Sequence, residues 1–255
     1  MFLAIDAGNS NVVFSFYKEG QWVYTYRMET KPFKKTAAIE MQLRLYFLEK
    51  GIKVSDISYV GISSVVPEIT DSLIKTAKDL FGIQAHLVGP DSYEKLPVST
   101  PNPQQMGTDL MCNVMSAYAK FKEACLIIDF GTALTFTVVS EGGAVLGVSI
   151  APGLKTAIKA LSGNTSKLPE VPLVLPESAI GKDTVHAIQA GILYGYTGLV
   201  EGMIQRIKAE LSEELKVIAT GGLSSILQPL ASSFDLVDEN LTVEGIRLIT
   251  LHQEA

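Results

Sequence analysis

The residue pattern best suited to chemistry is an Asp-x-Gly sequence that ends an apolar run and occurs twice, at residues 6–10 and 129–132. Glycine lets a backbone approach a ligand closely, and the N–H groups exposed in such a turn bind anions such as phosphate. Because Asp6 and Asp129 would repel phosphate, each requires Mg²⁺ or another hard cation between its carboxylate and the phosphate oxygens. Together these features predict a binding cleft for a nucleoside triphosphate.

Other nucleotide-binding and metalloprotease motifs are absent from the sequence. There is no G-x-x-x-x-G-K-[ST], no G-x-G-x-x-G that opens a βαβ unit, and no H-E-x-x-H. Residues 181–184 read like the end of a P-loop, but the earlier glycine and a preceding strand are missing. A third glycine turn, Thr220-Gly221-Gly222, follows a predicted strand, and its small residues would let an adenosine lie on the backbone.

The two Asp-x-Gly turns belong to an internal repeat. Residues 2–10 align without a gap with residues 125–133, and Leu, Ile, Asp and Gly coincide. The same register superimposes two further pairs of strand-like segments: 12–17 with 135–140, and 22–26 with 145–149. One Asp-x-Gly marks only a strand that ends in a glycine turn, whereas two copies in equal register indicate a duplication. Each half is predicted to open with three strands joined by tight turns.

Helices and further strands follow the three strands in both halves, as their apolar periodicity indicates. In the first half we expect helices over 36–50 and 67–81 and strands over 57–63 and 84–88. In the second half we expect helices over 154–161, 183–211, 223–231 and 241–252 and a strand over 217–220. A β-β-β-α-β-α unit used twice predicts an α/β fold of two similar domains, residues 1–118 and 119–255, facing each other across a central cleft.

Composition argues against several classes of partner. The 255 residues carry a net charge of −6 and no dense basic cluster, so we expect neither nucleic acid nor an anionic membrane as a partner. No apolar stretch approaches the length of a membrane span, and the protein is expected to be cytoplasmic. Charged residues make up only 19% and hydrophobic residues 47%, which indicates apolar surface buried between subunits. Cys112 and Cys125 lack the spacing of a zinc site and are predicted to be reduced core thiols.

Five motifs carry a family resemblance: Asp6-x-Gly8-Asn9-Ser10, Gly107-x-Asp109, Asp129-x-Gly131-Thr132, Pro152-Gly153 and Thr220-Gly221-Gly222. In this order and at these spacings they resemble the type III pantothenate kinases of the acetate-kinase, sugar-kinase, Hsp70 and actin superfold. The resemblance implies a ribonuclease H-like, actin-like fold. It also implies ATP-dependent phosphorylation of pantothenate to 4'-phosphopantothenate, the first step of coenzyme A biosynthesis. A homodimer, Mg²⁺ with ATP, and a monovalent cation, K⁺ or NH₄⁺, follow from the same resemblance.

The resemblance also assigns roles to residues. It implies ATP binding by the first turn and by one threonine of the second: Asp6, Ala7, Gly8, Asn9, Ser10, Asn11, Val12, Val13 and Thr132. Asp6 would act through Mg-ATP, and Asp129 would hold the monovalent cation. Asp109 would be the catalytic base, and pantothenate would be bound by Gly107, Thr108, Asp109 and Thr184. The residues alone leave the role of Asp109 open, because Thr and Asp before an apolar helix are also ordinary N-terminal capping residues.

The sequence departs from the family pattern at three positions. Leu110 replaces the arginine of Gly-x-Asp-Arg, Thr100 replaces a tyrosine, and Asp183 replaces an asparagine. Loss of a charged hydrogen bond to the pantothenate carboxylate would cost about 1.5–3 kcal/mol. Another cation could substitute, and Lys155 and Lys159 are candidates, although a solvated helix face explains them equally well.

Three hypotheses follow from these departures. The protein is a pantothenate kinase, a kinase of another small alcohol, or a non-catalytic nucleotide-binding paralogue. The three aspartates at positions 6, 109 and 129 are all retained, which favours the pantothenate kinase.

Four glycines recur at helical spacing in the predicted helix over 183–211: Gly191, Gly195, Gly198 and Gly202. Each costs roughly 0.8–1 kcal/mol relative to Ala in a helix interior. Close packing against another helix is expected to compensate, either within the chain or across a dimer interface.

Overall fold

Each half of the chain forms one five-stranded mixed sheet with helices packed on it. The computed structural model describes residues 1–31, 35–211, 214–222, 226 and 228–253. Contacts divide the chain into two units, Met1–Lys120 with Asn240–Ala255, and Phe121–Glu239. The predicted α/β fold with a duplicated unit is confirmed.

The described residues contain ten strands and seven α-helices. The strands are β1 (Phe2–Ala7), β2 (Asn11–Lys18), β3 (Gln21–Glu29), β4 (Tyr59–Ser64), β5 (His86–Leu87), β6 (Cys125–Phe130), β7 (Ala133–Val139), β8 (Val145–Pro152), β9 (Lys216–Thr220) and β10 (Leu236–Val237). The helices are α1 (Thr36–Lys50), α2 (Pro67–Thr76), α3 (Pro90–Tyr93), α4 (Thr108–Phe121), α5 (Leu154–Asn164), α6 (Thr184–Glu210) and α7 (Leu241–Gln253). A π-helical turn, Ala77–Phe81, extends α2, and 3₁₀ turns cover Val54–Asp56 and Gln228–Ser233. In this part of the chain no helix is both long and apolar enough to cross a membrane.

The two sheets have the same strand order and the same strand directions. The order is β3-β2-β1-β4-β5 in the first unit and β8-β7-β6-β9-β10 in the second. In each sheet the central strand pairs antiparallel with the strand that follows it and parallel with the strand on its other side. Tight turns make the antiparallel connections: Glu19 and Gly20, between β2 and β3, both adopt the positive φ that a two-residue hairpin turn requires.

The two copies differ by one residue in the turn after the first strand. Asp6 lies opposite Val13, whereas Asp129 lies opposite Thr135. The gap-free alignment of residues 12–17 with 135–140 is therefore wrong by one position. The reason is that the first hairpin turn contains one additional residue before its strands pair.

The last helix returns to the first unit. Helix α7 packs on β1 and β4. Gly245 lies so close to the backbone of Cys112 that a Cβ would overlap it, and Thr242 Oγ1 donates to Asn113 Oδ1 at 2.8 Å. The predicted domains were residues 1–118 and 119–255. The structure instead groups residues 240–255 with the first unit, because α7 makes its tertiary contacts with the first sheet.

The predicted bounds of the helices over 36–50, 67–81, 154–161, 183–211 and 241–252 lie within three residues of the observed bounds, when the π-helical turn is counted with α2. Gly51 and Gly82 end their helices in the left-handed conformation, at φ 67° and 71°. The predicted helix over 223–231 falls partly on residues outside the described ranges, namely 223–225 and 227. Cys112 and Cys125 are free and buried, as predicted.

Candidate active site

The first Asp-x-Gly turn is held by its own backbone and by one threonine. Gly8 N donates to Asn11 O at 2.9 Å. The buried Thr30 donates through Oγ1 to Gly8 O at 2.7 Å and through its backbone N to Ser10 O at 3.1 Å. The side chains of Asn9 and Ser10 are exposed. The turn is a fixed loop that presents polar groups outward, as an anion-binding turn requires.

The other predicted ATP-binding residues of this turn differ in what they offer a ligand. The side chains of Ala7 and Val12 are fully buried in the core, so only their backbone atoms can contact ATP. Asn11 and Val13 are partly exposed at the start of β2. Their contacts with ATP stay predictions.

Asp109 lies in the first turn of α4 and is partly buried. The backbone N of Leu110 donates to its Oδ1 at 2.8 Å. A Cβ at position 107 would lie 2.6 Å from the same oxygen, so a side chain there would require the Asp109 carboxylate to shift. Burial raises the pKa of Asp109, and the backbone hydrogen bonds oppose this rise only in part. A carboxylate with a raised pKa accepts a proton more readily near neutral pH than an ordinary aspartate does, which suits the predicted base.

Asp6 and Asp109, far apart in the sequence, lie near the same buried thiol. Cys112 is fully buried on α4, and burial, together with the charges of Asp6 and Asp109, raises its pKa well above the ordinary value. The hydroxyl of Ser63 on β4 acts in the opposite direction and lowers this pKa. The two predicted aspartates therefore lie in the same region of the first unit, since Ser63, opposite Asp6 in the sheet, has its Oγ 2.9 Å from Oγ1 of Thr108, the residue before Asp109.

Sequence reasoning missed two residues that border this group, Ser63 and Tyr93. Burial, then Cys112 and Asp109, raise the pKa of Tyr93, so its hydroxyl stays neutral. The Tyr93 oxygen is buried and has no hydrogen-bond partner in the described part of the chain. A signal for Ser63 existed, because it lies near the end of a predicted strand parallel to the one that carries Asp6, and ligands bind at the carboxyl ends of such strands. Nothing in the sequence marks Tyr93.

The second Asp-x-Gly turn brings distant glycine motifs together in the second unit. Gly153 N donates to Thr132 O at 3.0 Å, and a Cβ at Gly153 would lie 2.6 Å from that oxygen. Gly221, at φ +89°, lies against Asp129, whose Oδ1 a Cβ would approach to 2.5 Å. The Pro152-Gly153 and Thr220-Gly221 motifs therefore both pack on the turn that contains Asp129 and Thr132.

Two buried threonines lie beside Asp129 in the second sheet. Thr135 is opposite Asp129 on β7, and Thr220 is opposite it on β9. Their hydroxyl oxygens are buried, with no hydrogen-bond partner among the described residues. Opposite residues project from the same face of a sheet. Because carboxylate and hydroxyl oxygens are ligands for hard cations, this group is chemically suited to one.

Thr184 is exposed as the first residue of α6 in the second unit. Asp183 caps this helix, since its Oδ1 accepts from His186 N at 2.9 Å. Asp and Asn cap helices about equally well, so the departure from the family's asparagine preserves the local structure that presents Thr184. Lys155 and Lys159 are exposed on α5.

Comparison with known proteins finds relatives over nearly the whole chain. Residues 2–206 match the family described as type III pantothenate kinase. A type III pantothenate kinase of Citrifermentans bemidjiense is 41% identical over 249 residues, which cover 98% of each chain. One of Myxococcus xanthus is 39% identical over 249 residues, 98% of this chain and 97% of the relative. The chain belongs to the type III pantothenate kinase family. It is a kinase by this membership.

More distant solved structures share the fold of this type III pantothenate kinase family member. Ethanolamine utilization protein EutJ from Carboxydothermus hydrogenoformans is 13% identical, with a TM-score of 0.57 over 97% of this chain and 89% of that one. The activator of 2-hydroxyisocaproyl-CoA dehydratase from Clostridium difficile, with bound ADPNP, is 12% identical, with a TM-score of 0.55 over 99% and 96%. MreB 5 of Spiroplasma citri, bound to AMPPNP, is 11% identical, with a TM-score of 0.52 over 99% and 96%. The predicted actin-like fold is confirmed.

Proposed function

We propose that this protein catalyses the ATP-dependent phosphorylation of pantothenate to 4'-phosphopantothenate, the first step of coenzyme A biosynthesis. Beyond family membership, one observation supports the proposal: Ser63, which lies opposite Asp6 in the sheet, contacts Thr108 at 2.9 Å, so Asp109, with its raised pKa, lies in the same region as Asp6. Phosphoryl transfer to an alcohol requires an acceptor for the hydroxyl proton and neutralisation of phosphate charge. Asp109 and Asp6 are suited to these two requirements.

In the proposed reaction the primary hydroxyl of pantothenate attacks the γ-phosphorus of ATP. The hydroxyl oxygen forms the new P–O bond, the bond from the γ-phosphorus to the β–γ bridging oxygen breaks, and ADP leaves. The carboxylate of Asp109 takes the hydroxyl proton. Gly107, Thr108 and Thr184 position the acceptor in this scheme.

Backbone N–H groups of residues 8–10 bind the phosphate oxygens of ATP in the proposed complex, and Thr132 contacts the same nucleotide. Asp6 is suited to hold Mg²⁺ bound to ATP, since Mg²⁺ sites typically combine one or two carboxylates with substrate phosphates. When bound, the ion neutralises charge on the phosphates. These assignments rest on the exposed polar turn and on the position of Asp6 at the end of β1.

A monovalent cation, K⁺ or NH₄⁺, is proposed at Asp129. The support is the pair of buried hydroxyls of Thr135 and Thr220 on either side of that carboxylate. These three side chains carry oxygen atoms on one face of the sheet. Buried oxygens without a partner are unfavourable, and a bound cation would satisfy them.

A homodimer is also part of the proposal. Strand β8 is the edge of the second sheet, and Leu146, Val148 and Ile150 alternate along it with exposed fractions of 52%, 37% and 70%. The glycines of α6 are open as well, because a Cβ would meet no atom within 4 Å at Gly191, Gly195 and Gly198. An edge strand with exposed apolar side chains and a helix face of glycines with open space beside them are surfaces that a second copy of this chain can cover.

Product identification tests the proposed function. The protein is incubated with ATP, Mg²⁺ and K⁺ and with either pantothenate or pantothenyl alcohol, in which a hydroxymethyl group replaces the carboxylate, and products are identified by mass spectrometry. We expect 4'-phosphopantothenate, and a lower rate when Na⁺ replaces K⁺. Phosphorylation of the alcohol alone would indicate a kinase of another acceptor, and ATP binding without any product would indicate a non-catalytic nucleotide-binding protein.

A further inference from the structure

Ser63 connects the strand beside Asp6 to the helix that carries Asp109. Strand β4 runs parallel to β1, and Ser63 lies opposite Asp6 in the register. Residues opposite one another in a sheet project from the same face. Ser63 is fully buried, so its hydroxyl must find its partners inside the protein.

The hydrogen-bond partner of the Ser63 hydroxyl is on α4. Ser63 Oγ lies 2.9 Å from Thr108 Oγ1, and the same hydroxyl lowers the pKa of the Cys112 thiol, so it lies near that thiol as well. Thr108 and Cys112 are four residues apart, so they lie one above the other on one face of the helix. Asp109 follows Thr108 directly. One buried hydroxyl therefore fixes the first turn of α4.

We infer that Ser63 is a positioning residue for phosphoryl transfer, which acts through Thr108 to hold Asp109 in place beside Asp6. This inference rests on the proposed function. Loss of the hydroxyl leaves the Asp109 carboxyl chemically intact but less well placed. Misplacement of a reacting group by about 1 Å can cost on the order of a hundredfold in rate. The effect therefore falls on kcat, while the ATP-binding turn at residues 8–10 is unaltered.

The first test measures kcat and KM for Ser63→Ala, Thr108→Val and the double variant. We expect each single variant to lower kcat by about tenfold or more, with KM for ATP changed less than about twofold. The double variant should be no slower than the slower single variant, because both remove the same contact. Thr108→Ser, which restores the hydroxyl, should recover most of the activity lost in Thr108→Val.

Ser15→Ala is the matched control. Ser15 is a buried serine of the same sheet, on β2, and its Oγ lies 3.4 Å from Thr25 Oγ1. Its removal deletes a buried hydroxyl without touching α4. We expect kcat of this variant to stay within about twofold of the wild-type value.

A second measurement does not depend on turnover. The carboxyl of Asp109 is titrated by NMR in protein labelled at aspartate, with the signal assigned by its loss in Asp109→Asn. The ionisable groups that interact with it are Cys112 on α4 and Tyr93 on α3, and Asp6 on β1 interacts with the same Cys112 thiol. In Ser63→Ala and Thr108→Val the start of α4 loses its anchor and Asp109 gains water, so its pKa should fall toward the ordinary aspartate value. In Ser15→Ala the pKa should stay raised.

The outcomes separate the two claims. Wild-type kcat together with an unchanged Asp109 pKa in Ser63→Ala would overturn the positioning role and leave the kinase in place. If the wild-type protein forms no ADP with pantothenate, the proposed function falls, and the titration alone decides on Ser63. If Ser63→Ala does not fold, Thr108→Val gives the same two measurements from the other end of the hydrogen bond.

Discussion

Asp109 is subject to two opposing local influences. Burial favours its neutral form, whereas the Leu110 N–H, 2.8 Å from Oδ1, favours the charged form. The net result is a raised pKa, so burial is the larger influence. A carboxyl in this state destabilises the folded protein at neutral pH while serving as a proton acceptor, which is the usual conflict between stability and activity at a catalytic group.

Replacement of Asp109 by Asn should therefore separate activity from stability. We expect turnover to fall by about 10²–10⁴-fold, because no group then takes the proton, while ATP binding is retained. The melting temperature should rise by on the order of 2 °C, since a buried charge is removed. Asp71→Asn, at an exposed aspartate of α2, is the control and should change neither quantity. Equal activity of Asp109→Asn and wild type would exclude Asp109 as the base.

The pH dependence of kcat/KM reports the same carboxyl. The base acts only when deprotonated, so the rate should fall as pH is lowered through the pKa of Asp109. Because that pKa is raised, the midpoint of the acid limb should lie above about 3.9, the ordinary aspartate value. Stability linked to this group has the opposite sign, since a raised pKa in the folded state adds stability below the unfolded value, and this stability is lost as pH rises. A midpoint at or below the ordinary value would show that another group limits the rate.

At the scale of elements, the glycine motifs work by allowing close approach of chain segments. Gly221 combines a positive φ of +89° with contacts that leave no room for a Cβ, which would lie 2.5 Å from Asp129 Oδ1 and 2.8 Å from the backbone of Phe130. The end of β9 is thereby held against the turn that follows β6. This explains physically why the residue directly after β9 is a glycine.

Gly221→Ala should destabilise the second unit and displace Asp129. A left-handed conformation costs a non-glycine residue roughly 1–2 kcal/mol, and the overlap adds to it, so we expect the melting temperature to fall by about 4 °C or more. Gly147→Ala is the matched control, because a Cβ at Gly147 on β8 meets no atom within 4 Å. Equal melting temperatures for the two variants would mean that position 221 does not require a glycine.

Several elements could be predicted because their signals are local. Hairpin-turn residues, apolar periodicity and helix-ending glycines predicted the strands and helices. The repeated Asp-x-Gly sequence predicted the two turns after β1 and β6. The one-residue difference in turn length was missed because an alignment without gaps does not register it. The return of α7 to the first sheet depends on contacts such as Gly245 with Cys112, which no local pattern encodes. Tyr93 was missed for the same reason, whereas the position of Ser63 near the end of a predicted strand was a signal that the sequence analysis did not use.

At the scale of the whole molecule, the duplication gives each unit an aspartate at the same place, near the end of its central strand. Asp6 in β1 is followed by an exposed polar turn, whereas Asp129 in β6 is flanked by the buried hydroxyls of Thr135 and Thr220. One ancestral turn has thus acquired two different surroundings. In the proposed function these serve Mg-ATP and a monovalent cation, respectively.

The proposed homodimer makes a prediction about the edge strand of the second sheet. Ile150→Asp on β8 would bury a charge in an interface formed by this strand, so we expect the variant to sediment as a monomer where the wild type sediments as a dimer. Val174→Asp, at a residue that is 59% exposed in the same unit, is the control and should leave the mass unchanged. A dimer that persists in Ile150→Asp would place the interface elsewhere.

The proposed activity is the transfer of a phosphoryl group from ATP to pantothenate. Its most direct test is the stoichiometry of ADP and 4'-phosphopantothenate formed by purified protein with ATP, Mg²⁺ and K⁺, with ATP binding measured in the same samples. We expect equal amounts of both products, formed only when pantothenate is present and lost in Asp109→Asn. ATP binding with no pantothenate-dependent release of ADP would contradict it.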